Sequence, residues 1–241
     1  MTRRRPRTPR PRQADLPFGA GHGGARRGAG RKPKSLQPLV AHTRRAALPA
    51  RHPVHVTVKL RQGLPKLRQP HERAALLATF ARAKLRAGRT GKAFRLTHFA
   101  ILNDHLHLIV EAQDREALAR GVQGLLIRIA RALNKLWQRH GSLFADRYHD
   151  RALTTPSAVR NALCYVLANG VKHAAEGRAV TLPQAIDVYT SAPWFDGFVE
   201  TITVRGIAAL PPPVAAPRTW LLTIGWRRRG LLSAHELPAS A

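Results

Sequence analysis

"AILNDHLHLIVEA", residues 100–112, alternates in a way that belongs to a strand, yet it carries two histidines. Strand side chains point alternately to opposite faces. Leu106, Leu108 and Val110 therefore share one face, and His105, His107 and Ile109 share the other. The two imidazoles stand side by side, roughly 7 Å apart at Cα. Two convergent imidazoles at that spacing can hold one metal ion. Two ordinary surface histidines give the same pattern, so the rest of the chain has to decide.

The neighbours of this stretch define a layered fold. Asn103-Asp104 is a tight-turn signal, and "KAFRLTHFAIL" before it reads as a second strand. Further upstream, Val54, Val56, Val58 and Leu60 alternate with His55, Thr57 and Lys59, which is a strand. Between these strands, "HERAALLATFARAKLRAG" has helical spacing, with Gly88 as its expected stop. Downstream, "DREALARGVQGLLIRIARALNKLWQRHG" reads as a long amphipathic helix. Leu118, Val122, Leu125, Ile129, Leu133 and Leu136 mark its buried side, and Arg120, Arg128, Arg131, Lys135 and Arg139 lie away from it. "SLFADRYHDRAL" reads as extended chain. Thr155 is then an N-cap with Pro156 at the first helical position, opening a helix through "SAVRNALCYVLAN" that stops or kinks near Gly170. The order strand, helix, strand, strand, helix, strand, helix predicts an α+β sandwich with an antiparallel sheet.

The flanks read differently. Residues 1–50 contain "MTRRRPRTPRPRQ" and "GAGHGGARRGAGRKPK", which offer almost nothing to bury and are expected to form a disordered basic arm. The pattern around Arg31-Lys32-Pro33 resembles an AT-hook, with Arg26, Arg27, Arg31 and Lys32 as DNA-contacting candidates; a solvated basic arm is the simpler reading. Residues 177–241, with "SAPWFDGF", Pro211-Pro212-Pro213 and "RTWLLTIGWRRRG", read as a C-terminal extension with some aromatic packing and no assignable role.

Composition narrows the partner. In 241 residues, 41 Lys and Arg stand against 13 Asp and Glu, a formal charge of +28. That excess implies a polyanion, most simply nucleic acid. The single cysteine, Cys164, rules out an internal disulfide framework and fits a reducing cytoplasm. The basic N-terminus has no apolar h-region, so no signal peptide is expected. No apolar run approaches the ~18 residues of a membrane span. The expected location is cytoplasmic, in association with the nucleoid.

The last helix supplies the chemistry. Tyr165 and Asn169, four residues apart, share a face, with Asn161 and Lys172 in the same wedge. Val159, Ala162, Leu163 and Val166 take the apolar side, which turns Tyr165 outward among polar neighbours. A tyrosine so placed can attack phosphorus once a metal polarises a phosphodiester. His105, His107 and Asn169 make a three-ligand set that suits Mg²⁺ or Mn²⁺, with water and phosphate oxygens completing the shell. Each element alone is weak: tyrosines on amphipathic helices usually pack, and Tyr–Asn pairs at this spacing arise by chance. The order in which they occur, in a very basic chain, gives them weight.

"NDHLHLIVE", "LFADRYHDRAL" and "VRNALCYVLAN" together resemble the HUH single-tyrosine transposases, and in particular the REP-associated tyrosine transposases and related insertion-sequence proteins. The resemblance covers residues 51–176 and rests on His105-Leu106-His107. It implies a ferredoxin-like HUH endonuclease core. It also implies a metal-dependent single-stranded DNA endonuclease and strand transferase, acting in DNA transposition or repeat mobilisation through a 5′-phosphotyrosine intermediate. Tyr165 would be the nucleophile, and His105, His107 and Asn169 the metal ligands. Single-stranded hairpin or palindromic repeat ends would be the partner, with a homodimer or a monomer allowed. Arg128, Arg131, Lys135, Arg147, Tyr148 and Lys172 complete the expected DNA contacts, and His149 joins Tyr148 in the basic-aromatic segment. Relatives often read Leu-Asn-Pro after the tyrosine, whereas "YVLANG" has Gly170 in place of proline. Two competing readings keep the DNA. One is a domesticated protein that recognises hairpin repeats without chemistry. The other is a metal-dependent nuclease that uses water, with Tyr165 as bystander.

Overall fold

Val54, Val56 and Val58 are buried to the last atom or nearly so, and they sit on the central strand of the sheet. The computed structural model describes residues 46–90, 93–168, 186–202, 210–236 and 238, all within the unit Leu39–Ala241. Arg26, Arg27, Arg31, Lys32, Asn169, Gly170 and Lys172 lie outside the described residues.

The core elements are β1 (Val54–Lys59), α1 (Pro70–Thr90), β2 (Phe94–Ile101), β3 (His105–Ala112), α2 (Arg115–Leu136), β4 (His149–Ala152) and α3 (Pro156–Leu167). The sheet order is β2-β3-β1-β4, and every neighbouring pair is antiparallel. A βαββαβ chain in that order is a ferredoxin-like, α+β arrangement. Asn103 and Asp104 form the β2–β3 turn, closed by Leu102 N–H donating to the His105 carbonyl at 3.0 Å.

The sheet separates two cores. On one side, Val54, Val56, Val58, Leu106, Leu108 and Val110 pack against Leu76 and Phe80 of α1 and the buried stripe Leu118, Val122, Leu125, Ile129 and Leu133 of α2. Each such side chain stabilises the fold by about 1.5–3 kcal/mol. Asp114 caps α2 by accepting from Ala117 N–H at 2.7 Å. Leu136, expected on the buried stripe, is 40% exposed and is the last residue of the helix. α1 continues to Thr90, two residues beyond the expected stop at Gly88.

On the other side, Ala100, Leu102 and Ile109 pack beneath Val159, Leu163 and Val166 of α3. Thr155 caps α3 through Ala158 N–H at 3.1 Å, and Pro156 starts it. β2 changes phase to serve both cores. Leu96 pairs with Val110, but His98 pairs with Ile109, so the strand bulges at Thr97. Phe99 and Ile101 then fall into the α1/α2 core, and His98 and Ala100 onto the α3 face.

The C-terminal residues close this second side. Ile101 N–H donates to the Tyr189 carbonyl at 2.8 Å and Ser191 N–H to that of Phe99 at 3.0 Å, which covers the outer edge of β2. Asp187, buried, accepts both arms of Arg68 at 2.8 and 2.9 Å. A short helical turn, α4 (Trp220–Thr223), begins where the backbone amides of Arg218 and Thr219 donate to Glu111. No described helix is long and apolar enough to cross a membrane.

Candidate active site

The α3 face of the sheet is apolar under α3 and polar where β1 and β3 meet. Register decides which residues meet there. Thr57 lies opposite His107, Lys59 opposite His105, and His55 opposite Ile109. Cross-strand partners share a face, so His55, Thr57, Lys59, His105 and His107 form one polar patch. β4 extends it, with His149 opposite Thr57 and Arg151 opposite His55.

His107 is the hub. It is only 5% exposed. Its Nδ1 lies 3.1 Å from both His55 Nε2 and Thr57 Oγ1. Its Nε2 lies 3.3 Å from the Tyr165 hydroxyl. The rings of His107 and Tyr165 meet edge to face, centroids 4.9 Å apart, and those of His105 and His107 do the same at 4.9 Å. Tyr165 is therefore half-buried and turned towards the sheet, rather than outward as its helical position suggested. The reason is that α3 lies across the polar patch itself, so Tyr165 has a partner in the sheet.

His105 is more open, with 29% of its side chain exposed, which leaves room for a ligand. Its Nδ1 is 2.7 Å from Asp104 Oδ1. Asp104 is partly desolvated, but the His105 hydrogen bond and charge, with Lys59 beyond, hold its carboxyl below its ordinary value. His55 is held neutral: burial first, then the nearby Arg151, push its imidazole down to about 4. A neutral His55 keeps a ring nitrogen lone pair for the His107 contact.

Two imidazoles of one patch are a candidate donor pair for a divalent ion. A histidine that ligates through one ring nitrogen commonly donates its other N–H to a carboxylate or another fixed acceptor. Both Nδ1 atoms here are committed, His105 to Asp104 and His107 to His55 and Thr57, and the His107 Nε2 faces the Tyr165 hydroxyl. Among the described residues, no group of three or more His, Cys, Asp or Glu side chains is arranged to hold a metal. A further protein ligand to this pair would be an amide such as Asn169, which lies outside the described residues.

The structure brings together Tyr165, His105 and His107. Among the described residues, the expected DNA contacts of α2 lie away from them. Arg128, Arg131 and Lys135 belong to α2, across the sheet from Tyr165. Arg128 lines a cavity of about 410 Å³ with Lys84 and Arg120. Tyr148 packs on the α1/α2 core, and Arg147 beside it is exposed. His55, Thr57 and Arg151 were missed as site residues. Their signal was present: His55 and Thr57 are the polar positions of the β1 alternation, but only the β1–β3 register joins them to His107.

No family model matches the sequence, and no curated protein matches it. Among solved structures, a REP-associated tyrosine transposase bound to a REP hairpin is similar to this chain. The two share 16% identical residues with a TM-score of 0.47, covering 63% of this chain and 82% of that one.

Proposed function

We propose that this protein is a transposase-like enzyme that cleaves and rejoins single-stranded DNA with Tyr165 as nucleophile. The observation that carries the reading is the 3.3 Å approach of the Tyr165 hydroxyl to His107 Nε2, in a patch that also holds His105. Residues from three sequence-distant elements, β1, β3 and α3, converge there. The +28 charge supplies the attraction to a polyanion. Hairpin or palindromic ends as the substrate, and with them the nucleoid as the place of action, rest on the motif resemblance.

His105 and His107 would hold a divalent ion, Mg²⁺ or Mn²⁺, with Asn169 as a further ligand. When bound, such an ion neutralises charge on the scissile phosphate. Asp104, His55 and Thr57 orient the two rings. Tyr165 Oη forms the bond to phosphorus and loses its proton to solvent. The bond from phosphorus to the 3′ oxygen breaks, and that oxygen leaves as a hydroxyl after taking a proton from solvent. A 3′ hydroxyl attacking the phosphotyrosine reverses the step and rejoins strands without an external energy source.

The test is a denaturing gel with a 3′-labelled, single-stranded hairpin oligonucleotide and Mn²⁺. The expected result is label covalently attached to the protein, and its loss in Tyr165→Phe. Cleavage without attachment would replace the reading with a water-using nuclease. Binding without cleavage would leave an idle DNA-binding protein.

A further inference from the structure

Trp220 has no packing duty that explains it. Trp226, six residues on, fills the core: it is 1% exposed and its indole N–H donates to the Leu222 carbonyl at 3.1 Å. Leu221 and Leu222 are buried beside it. Trp220 is 46% exposed, and Ile224 next to it 53%. The indole is nevertheless held in place. A Cβ at Gly225 would lie 2.7 Å from the ring, so the missing side chain lets the ring rest against the backbone. Arg228 places its guanidinium 5.2 Å from the ring centroid. The amides of Arg218 and Thr219 are anchored on the buried Glu111, which fixes where the turn begins.

The surroundings are basic. Arg227 is paired with Asp196 at 2.8 Å, but Arg218, Arg228 and Arg229 are exposed and pair with no described carboxylate. An ordered, exposed indole beside exposed arginines matches the chemistry of unpaired nucleotides, whose bases stack and whose phosphates need cations. Position agrees with this. Glu111 shares a strand and a face with His107, four residues along β3, or roughly 13 Å.

We infer that Trp220, with Arg228 and Arg229, is a stacking platform for an unpaired base of the DNA strand that reaches Tyr165. The inference rests on the proposed nuclease reading for the strand's identity, but its binding test does not need cleavage. A protein with Tyr165→Phe as background is titrated with a fluorescent single-stranded oligonucleotide and with a blunt duplex of the same length. Trp220→Ala should weaken single-strand binding about tenfold, within the range of one lost stacking contact, with the salt slope unchanged. Trp220→Phe should restore most of it. Arg228→Ala with Arg229→Ala should instead reduce the steepness of log K against log salt by about 1.4, two phosphates' worth. Duplex binding should change little in Trp220→Ala.

Urea unfolding of each variant separates lost affinity from lost fold, and Trp220→Phe keeps the test valid if the alanine variant unfolds. Unchanged single-strand affinity in Trp220→Ala overturns the platform. So does an equal loss on duplex, a change in oligomeric state, or loss of binding to anionic phospholipid vesicles in place of DNA. If no covalent adduct ever forms on the parent protein but Trp220→Ala still loses single-strand affinity, the platform stands and the nuclease reading falls.

Discussion

The two faces of one sheet are built to different rules. Towards α1 and α2, Val54, Val56, Val58, Leu106, Leu108 and Val110 are all apolar and at most 1% exposed. Towards α3, the same strands carry His55, Thr57, His105 and His107. Covered polar groups destabilise a fold unless they are hydrogen-bonded. Here they bond to each other, to Asp104 and to Tyr165, which spares the fold but adds little to it. The first face holds the structure together, and the second uses that rigidity to position a reactive group. Alternate residues of β3 therefore serve opposite ends, and substitutions one position apart should separate stability from chemistry.

The largest effect belongs to the apolar face. Leu108→Ala should lose about 2–5 kcal/mol in urea unfolding, since Leu108 is fully buried. A smaller loss would mean that the α1/α2 core repacks, and that the contrast between faces is shallower than the burial suggests. One position away, His107→Ala should cost far less stability but lower Mn²⁺ affinity by more than about tenfold, read by calorimetry. His105→Ala should behave likewise. Unchanged Mn²⁺ affinity in the double variant would remove the metal from the account. Thr57→Val keeps the shape at 57 but removes one partner of His107 Nδ1. It should reduce Mn²⁺ affinity by less than either histidine variant, and adduct formation in parallel.

The smallest effect comes from His98, an imidazole on the same face but sealed at the β2 end. Burial pushes it down to about 4, against the opposing pull of Glu111 and Asp196, and its Nδ1 is 3.4 Å from Ser191 Oγ. Between about 6.5 and 4 the unfolded chain takes up a proton that the folded chain refuses. Its contribution is therefore complete above pH 6.5 and is lost as the pH falls through that window. From pH 7.5 to 6 the loss should be about 1 kcal/mol. His98→Gln should remove its share of this dependence in urea unfolding, while His55, also pushed down to about 4, keeps its own. An unchanged slope would place the titration elsewhere.

The same contrast explains what was legible in the sequence. Alternation in β1 and β3 and the stripe of α2 are local patterns, and they placed the apolar core almost residue by residue. Tyr165 and the two histidines were legible because helix and strand periods state which side chains share a face. The link from His55 and Thr57 to His107 was not, because it depends on which strands are neighbours, and β1 meets β3 only after a crossover. The phase change at Thr97 was hidden inside an apolar run. The basic residues of α2 showed their charge but not their side of the sheet, which is opposite Tyr165. Residues 186–202 and 210–236 carry little periodicity because single contacts such as Arg68–Asp187 and Glu111–Thr219 hold them.

The chain has three tyrosines, and the structure gives each a different setting. Tyr148 packs on the α1/α2 core, Tyr189 lies under Arg68 at 4.5 Å, and Tyr165 meets His107. The most direct test is to trap the protein on single-stranded hairpin DNA with Mn²⁺, digest both components, and locate the nucleotide-bearing peptide by mass spectrometry. The account predicts the remnant on Tyr165 alone, in the peptide that follows Arg160. A remnant on Tyr148 or Tyr189, or DNA cleaved with no remnant on any tyrosine, would contradict it.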